Sequence, residues 1–211
     1  MSNCWIQTYS GVKFDLSEPK ADMVSIKDIA HALSQICRFT GHSSIFYSVA
    51  EHCCLCYDVA PAGLKYEALL HDAPEAYYGD ISTPLKKMFY FDTQTFSKYI
   101  DVVVRDALKL KPYSVPARVK EIDKRMLATE RIALLPKEPE WPNLDEPYPK
   151  LVPICWDSKT AEEEFLVRYE REINHFCARH GTWGMYCVQC EEEKTHDECE
   201  RMSLKAKENT K

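Results

Sequence analysis

The sequence predicts an all-α protein, a helical bundle with a small hairpin at its N-terminus. Apolar residues recur at spacings of three and four along most of the chain, the period of helices that bury one face. The 12 prolines against only 6 glycines argue against a loop-rich all-β protein. There is no βαβ alternation and no internal repeat. With 211 residues, 45% of them hydrophobic and 28% charged, the chain can bury a core without disulfide staples.

Residues 5–16 alternate loosely around Ser10-Gly11, which predicts the hairpin. From Ser25 the period becomes helical through Ile26, Ile29, Ala30, Leu33 and Ile36, and Ser25 with Asp28 reads as a capping box. Residues 40–47 read as a loop carrying Gly41 and His42. Ser48 with Glu51 is a second capping box, opening a helix over about 48–59 that Pro61 and Gly63 break. A third helix, over about 64–78, carries Tyr66, Leu69, Leu70 and Ala73 and stops near Gly79. Thr83-Pro84 reads as an N-cap followed by proline at the first helical position, where the missing N–H costs nothing. Longer helices follow over about 93–110 and 116–135. Residues 136–153 hold six of the 12 prolines and form a long loop. Helix resumes from Ser158 to about 179, and apolar patterning fades after Trp183. The organisation expected is one domain over 1–182 and a charged, cysteine-containing tail over 183–211.

A net charge of −6 excludes a generally basic surface for nucleic acid, but not a small anionic substrate held by a metal or a few cations. No apolar stretch is long enough to span a membrane, and the N-terminus lacks the features of a secretory signal. The expectation is a cytoplasmic protein whose 10 cysteines are mostly reduced thiols. Cys187, Cys190, His196 and Cys199 have the residue types of a zinc knuckle but not its usual spacing, so a frayed tail is the expectation there.

The segment from His71 to Lys86, HDAPEAYYGDISTPLK, carries the chemistry. Buried ionisable groups on an apolar helix need partners. Glu75 follows His71 by four residues and would share its helix face, beside Asp72. These three make half of a metal site. His52, in the first turn of the preceding helix, is the best further ligand, because antiparallel helices joined by a short loop bring it near His71. Asp123, beside Ile122 and Met126, is the other, with Arg118 and Lys124 as its ordinary ion-pair partners otherwise. Two histidines and two aspartates suit a divalent ion. His42, after Gly41 in a loop, is read as a substrate-binding residue, Tyr77 and Tyr78 as packing or stacking residues, and His31 as a satisfied structural histidine. Glu130, seven residues after Asp123, is read as a solvated surface glutamate rather than a group that orients a ligand.

The ordered run Ser48-Val49-Ala50-Glu51-His52, His71-Asp72 with Glu75, Gly79-Asp80, Thr83-Pro84-x-Lys86 and Ile122-Asp123 resembles the HD-domain phosphohydrolases. Ile29-Ala30-His31-Ala32-Leu33 and Cys37-Arg38-Phe39 extend the resemblance forward. It covers about residues 26–135 closely and 5–180 more loosely. The chain is most similar to the deoxynucleotide-directed branch, the YfbR-like 5′-deoxynucleotidases and the phage DatZ-like dATP triphosphohydrolases. The resemblance implies an HD-domain helical bundle with His52, His71, Asp72 and Asp123 as ligands of a divalent ion (Mn²⁺, Co²⁺, Zn²⁺, Fe²⁺ or Mg²⁺). It implies that Glu75 and Asp80 orient or deprotonate the attacking water, and that Arg38 and Lys86 face the phosphates. Phe39 stands where relatives often carry tryptophan. The activity implied is release of deoxynucleoside and triphosphate from a dNTP, with dATP as the expected substrate. The alternatives are a 5′-deoxynucleotidase acting on dNMPs and, from another class, a catalytically silent nucleotide sensor or scaffold. The resemblance further implies a homo-oligomer with a small-molecule deoxynucleotide substrate, no nucleic-acid or membrane partner, and the host cytoplasm as its location if phage-encoded.

Overall fold

A computed structural model describes residues 4–88, 90–111 and 114–173. The tail with Cys187, Cys190, His196 and Cys199, and the end of the last expected helix, lie outside the described residues. The architecture is all-α, with one small N-terminal hairpin. In that hairpin β1 (Trp5–Gln7) pairs antiparallel with β2 (Lys13–Asp15), placing Ile6 opposite Phe14. Gly11 turns the chain at φ +87°, a conformation that is cheap only without a Cβ. Phe14 is fully buried and stacks on Tyr77, ring centroids 3.9 Å apart.

The Ser25–Asp28 capping box does not form. Ser25 makes no side-chain cap bond at the start of α1 (Ile26–Gln35). Asp28 instead accepts the backbone N–H and the hydroxyl of Ser10, each at 2.7 Å, and so fastens the hairpin to α1. Two carboxylate bonds to the turn outcompete one reciprocal bond to the helix end.

Helix α2 (Val49–Val59) is the centre of the fold. Every residue from Val49 to Tyr57 is buried, because α2 packs on α1, α3 (Lys65–Leu69), α6 (Ala117–Leu134) and α7 (Ser158–Ile173). One apolar cluster, with Ile29, Leu33, Leu69 and Phe165, lies on one side of it; a second, with Tyr47, Ile122 and Met126, lies on the other. Cys53, Cys54 and Cys56 serve there as small buried side chains that admit close neighbours. Ser48 caps α2 as expected, accepting the Glu51 N–H at 3.1 Å.

Glu51 does not reciprocate. Its buried carboxylate takes the N–H groups of Ile154 and Cys155 at 2.8 Å and of Trp156 at 2.7 Å. Successive N–H groups around a residue at positive φ make an anion-binding concavity, and Cys155 lies at φ +62°. The C-terminal end of the proline-rich segment is thus bound to the helix turn that carries His52. Glu51→Ala should destabilise the protein by about 2–4 kcal/mol in urea unfolding. A change below about 0.5 kcal/mol would contradict this anchoring role.

The helix expected over 64–78 is interrupted. α3 ends at Leu69, and after a turn the chain runs as a 3-10 helix over Ala73–Tyr77. Pro74 explains the break. In a continuous α-helix it would lack the N–H owed to Leu70 and its ring would strike that carbonyl. Ala73 bonds to Leu70 at 3.1 Å and Glu75 to Asp72 at 2.9 Å instead. His71 and Glu75 therefore do not stack on one α-helical face. α4 (Thr83–Met88) is preceded by Ser82, whose carbonyl accepts the Lys86 N–H, so the cap lies one residue before the expected one. α5 (Tyr90–Ala107) lies three residues earlier than expected, and α6 opens directly after Pro116.

Residues 136–153 contain no helix and run beside α6. Arg131 binds the carbonyls of Lys137 and Pro139, Arg125 binds that of Glu146, and the Thr129 hydroxyl accepts the Tyr148 N–H. Among the described residues no helix is long and apolar enough to cross a membrane.

Candidate metal centre and cavity

Four side chains from three parts of the chain meet beside α2. His52 comes from α2, His71 and Asp72 from the turn after α3, and Asp123 from α6. His52 Nε2 lies 3.3 Å from His71 Nε2, 3.6 Å from Asp72 Oδ2 and 3.3 Å from Asp123 Oδ1. His71 Nε2 lies 3.2 Å from Asp72 Oδ2 and 3.9 Å from Asp123 Oδ1. Atoms bound at about 2.0–2.2 Å to one ion stand about 3–3.5 Å apart, so this spacing suits a shared cation.

The hydrogen bonds behind the rings fix their tautomers. His71 Nδ1 donates to the Ala68 carbonyl at 2.8 Å, and His52 Nδ1 donates to Glu130 Oε1 at 2.6 Å. In neutral rings both Nε2 atoms are then lone pairs. They face each other and two carboxylates, and only a cation or added protons can hold four such acceptors together. Burial disfavours imidazolium in both rings. At His52 the neighbouring Cys56, Glu130 and Asp123 outweigh burial and the Arg38 charge, and at His71 chiefly Asp72 outweighs burial, so both rings are lifted well above the usual histidine range. Burial also opposes ionised Asp72, but His71, His52 and Arg38 hold its carboxyl well below the usual range.

Glu130 corrects an expectation. It is fully buried rather than solvated. Its Oε1 also accepts the Tyr47 hydroxyl at 2.7 Å, and its Oε2 accepts Nε and Nη2 of Arg38 at 3.1 and 3.0 Å. Burial raises its pKa, yet Arg38 and His52 win and hold it below the ordinary glutamate value. One carboxylate therefore orients both a ligand histidine and the arginine at the cavity. The sequence did carry a signal: 126, 130 and 134 follow one another at four-residue steps, and Met126 and Leu134 are core.

Above the ligand atoms lies a cavity of about 310 Å³. Arg38, Phe39, Asp72, Glu75, Asp80, Lys86 and Asp123 all line it, together with Thr40, Leu127 and Trp141. The histidines are thus buried beneath, and the aspartates face the space. Glu75 bonds Lys86 through Oε1 at 3.2 Å, and its Oε2 is buried without a hydrogen-bond partner among the described residues. Burial, then the charges of Asp72 and Asp80, push the Glu75 carboxyl up to about 8. Burial also raises Asp80.

His42 is exposed and is not among the residues that line the cavity. Tyr77 packs on Phe14, and His31 pairs with Glu162 at 2.9 Å. Two thiol-containing donor sets adjoin the centre, His52 with Cys56 and His71, and Cys53 with His71 and Asp72. Cys56 Sγ lies 3.7 Å from His52 Nε2. Burial pushes the Cys53 thiol up.

The raised Glu75 pKa predicts how metal-free protein responds to pH. Between the ordinary glutamate value of 4.5 and about 8, the folded state holds a proton that the unfolded state has lost. Stability must then fall as pH rises through that window. Glu75→Gln should flatten this fall in urea titrations of metal-stripped protein from pH 5 to 8.5; an unchanged slope would contradict the assignment.

Fold and site together define a helical protein with a candidate metal centre of two buried histidines and two part-exposed aspartates under a cavity lined by acidic and basic side chains. The chain is 46% identical over 143 residues to the uncharacterized protein YfdR of Escherichia coli, covering 67% of this chain and 79% of YfdR, and it belongs to that protein's family. An uncharacterized protein of Rhodobacter capsulatus is 39% identical over 95 residues, 41% of this chain and 48% of that protein. The chain thus matches about half the length of the Rhodobacter protein. No family model matches the chain.

Proposed function

We propose that this protein is an HD-domain phosphohydrolase that hydrolyses a deoxynucleotide in the cavity, releasing deoxynucleoside and triphosphate from a dNTP, with dATP as the substrate. The observation that carries the reading is the convergence of His52, His71, Asp72 and Asp123 within 3.9 Å, in every pair with a histidine, below a cavity that Arg38 and Lys86 also line. His52, His71, Asp72 and Asp123 would hold a divalent ion at that point, which when bound would supply positive charge against the phosphate oxygens and lower the pKa of water. Arg38, held flat by the Glu130 fork, presents a planar cation to phosphate, and Lys86 adds a point charge. Glu75, whose carboxyl is pushed up to about 8 and whose Oε2 has no hydrogen-bond partner among the described residues, would take the proton of the attacking water in its ionised form, and Asp80 would help orient that water. The water oxygen would bond to the α-phosphorus as the bond from that phosphorus to the 5′-oxygen breaks; the 5′-oxygen would take up a proton from solvent water, and Glu75 would return the one it accepted to solvent.

The test is one assay. Metal-stripped protein is given Mn²⁺, Co²⁺, Zn²⁺, Fe²⁺ or Mg²⁺ and each dNTP and dNMP, with ribonucleotides as controls, and products are separated by chromatography. Deoxynucleoside plus triphosphate from dATP is the expected result. Hydrolysis of dNMPs alone would replace it with a 5′-deoxynucleotidase. No turnover with any ion would overturn the enzyme reading in favour of a nucleotide sensor or scaffold.

A further inference from the structure

The cavity has two unlike ends. Lys86, Arg38 and the carboxylates form an ionic end. Phe39 and Trp141 form an aromatic corner, ring centroids 6.3 Å apart and inclined by 65°. The Arg38 guanidinium lies 5.5 Å from the Phe39 ring centroid and joins the two ends. Trp141 lines the cavity yet remains 38% exposed, an indole with much of its surface still open to contact. It does not sit on a loose loop. Arg131 grips the carbonyl of Pro139, two residues before it, and the Thr129 and Arg125 bonds to Tyr148 and Glu146 fix the chain beyond it. Phe39 is held at φ +55° and Thr40 at φ +54°, conformations that side-chain-bearing residues adopt at a cost and that cluster where geometry serves a ligand.

We propose that Trp141 is a specificity-determining residue, the face on which the planar base of the substrate stacks, with Phe39 closing the corner. The inference rests on the nucleotide reading of this cavity. Stacking on indole accepts any base, since every base has a π-face, and it discriminates base-bearing from base-free anions. The proline-rich segment is then part of the binding site rather than a connector.

The test uses the full chain with the ion that supports turnover, and three constants. These are KM for dATP (dAMP if only monophosphates turn over), and the inhibition constants of the two products, deoxyadenosine and inorganic triphosphate (or phosphate). Trp141→Ala should weaken the base-bearing molecules about 10–100-fold, while the inhibition constant of the inorganic product moves less than about threefold. Trp141→Phe, which keeps an aromatic face, should stay within about fivefold of wild type. The inference is overturned if Trp141→Ala leaves all three constants within threefold, or if base-bearing and inorganic molecules weaken by the same factor, the mark of a collapsed segment. A wild-type protein that hydrolyses no deoxynucleotide overturns the function itself, and this inference with it. Hydrolysis with no selective Trp141 effect overturns the inference alone.

Discussion

Asp72→Ala is expected to lower hydrolysis by at least about 10³-fold and to abolish tight metal binding, with the helical circular dichroism unchanged. Asp72 Oδ2 stands 3.2 and 3.6 Å from the two Nε2 atoms and 3.9 Å from Arg38 Nη1, so it lies between both histidines and the guanidinium. In the proposed centre its loss would remove one of two carboxylates that neutralise the ion, and transition-state stabilisation by such an ion is worth several kcal/mol, each 1.36 kcal/mol being about tenfold. The fold should survive, because Asp72 lines the cavity and takes no part in the apolar clusters. Activity within about tenfold of wild type would remove Asp72 from the ligand set.

Glu130→Ala is expected to have the largest effect on stability. The substitution strands the Arg38 fork, the Tyr47 hydroxyl and His52 Nδ1 with no acceptor in a fully buried space. Removing one partner of a buried charge pair costs about 3–5 kcal/mol. For a chain of this length that is a fall in Tm of roughly 6–20 °C. Glu130→Gln is more informative about function. It keeps the shape but supplies an amide and no charge, so His52 loses its fixed tautomer and metal affinity should fall about 10–100-fold at a smaller cost in stability. Calorimetric unfolding and metal titration of both variants check this. A Glu130→Ala protein as stable as wild type would show that the buried fork is not held together by this carboxylate.

Much of the site was legible because the chemistry repeats short motifs. His52 follows a real N-cap, and the His71-Asp72 pair sits where ionisable groups need partners; seven of the ten expected site residues line the one cavity, with the two histidines buried below it. What escaped the sequence did so for identifiable reasons. Pro74 breaks the third helix, a conflict visible in the residues but masked by the helical spacing of Tyr66, Leu69, Leu70 and Ala73 around it. Asp28 and Glu51 occur three residues after serines, the pattern of a capping box, yet each is taken by a distant backbone, which spacing cannot reveal. Glu130 was masked by its charge, although its position on α6 is a core position. Trp141 had no signal. Its place is set by bonds from Arg125, Thr129 and Arg131 to a segment with no period of its own.

The most direct measurement is anomalous diffraction at the metal edge from crystals grown with Co²⁺. The account predicts a single strong peak at about 2.0–2.2 Å from Nε2 of His52, Nε2 of His71 and the carboxylates of Asp72 and Asp123. A peak bound instead through Cys53 or Cys56 without the two aspartates, or no peak beside His52 and His71, would contradict it.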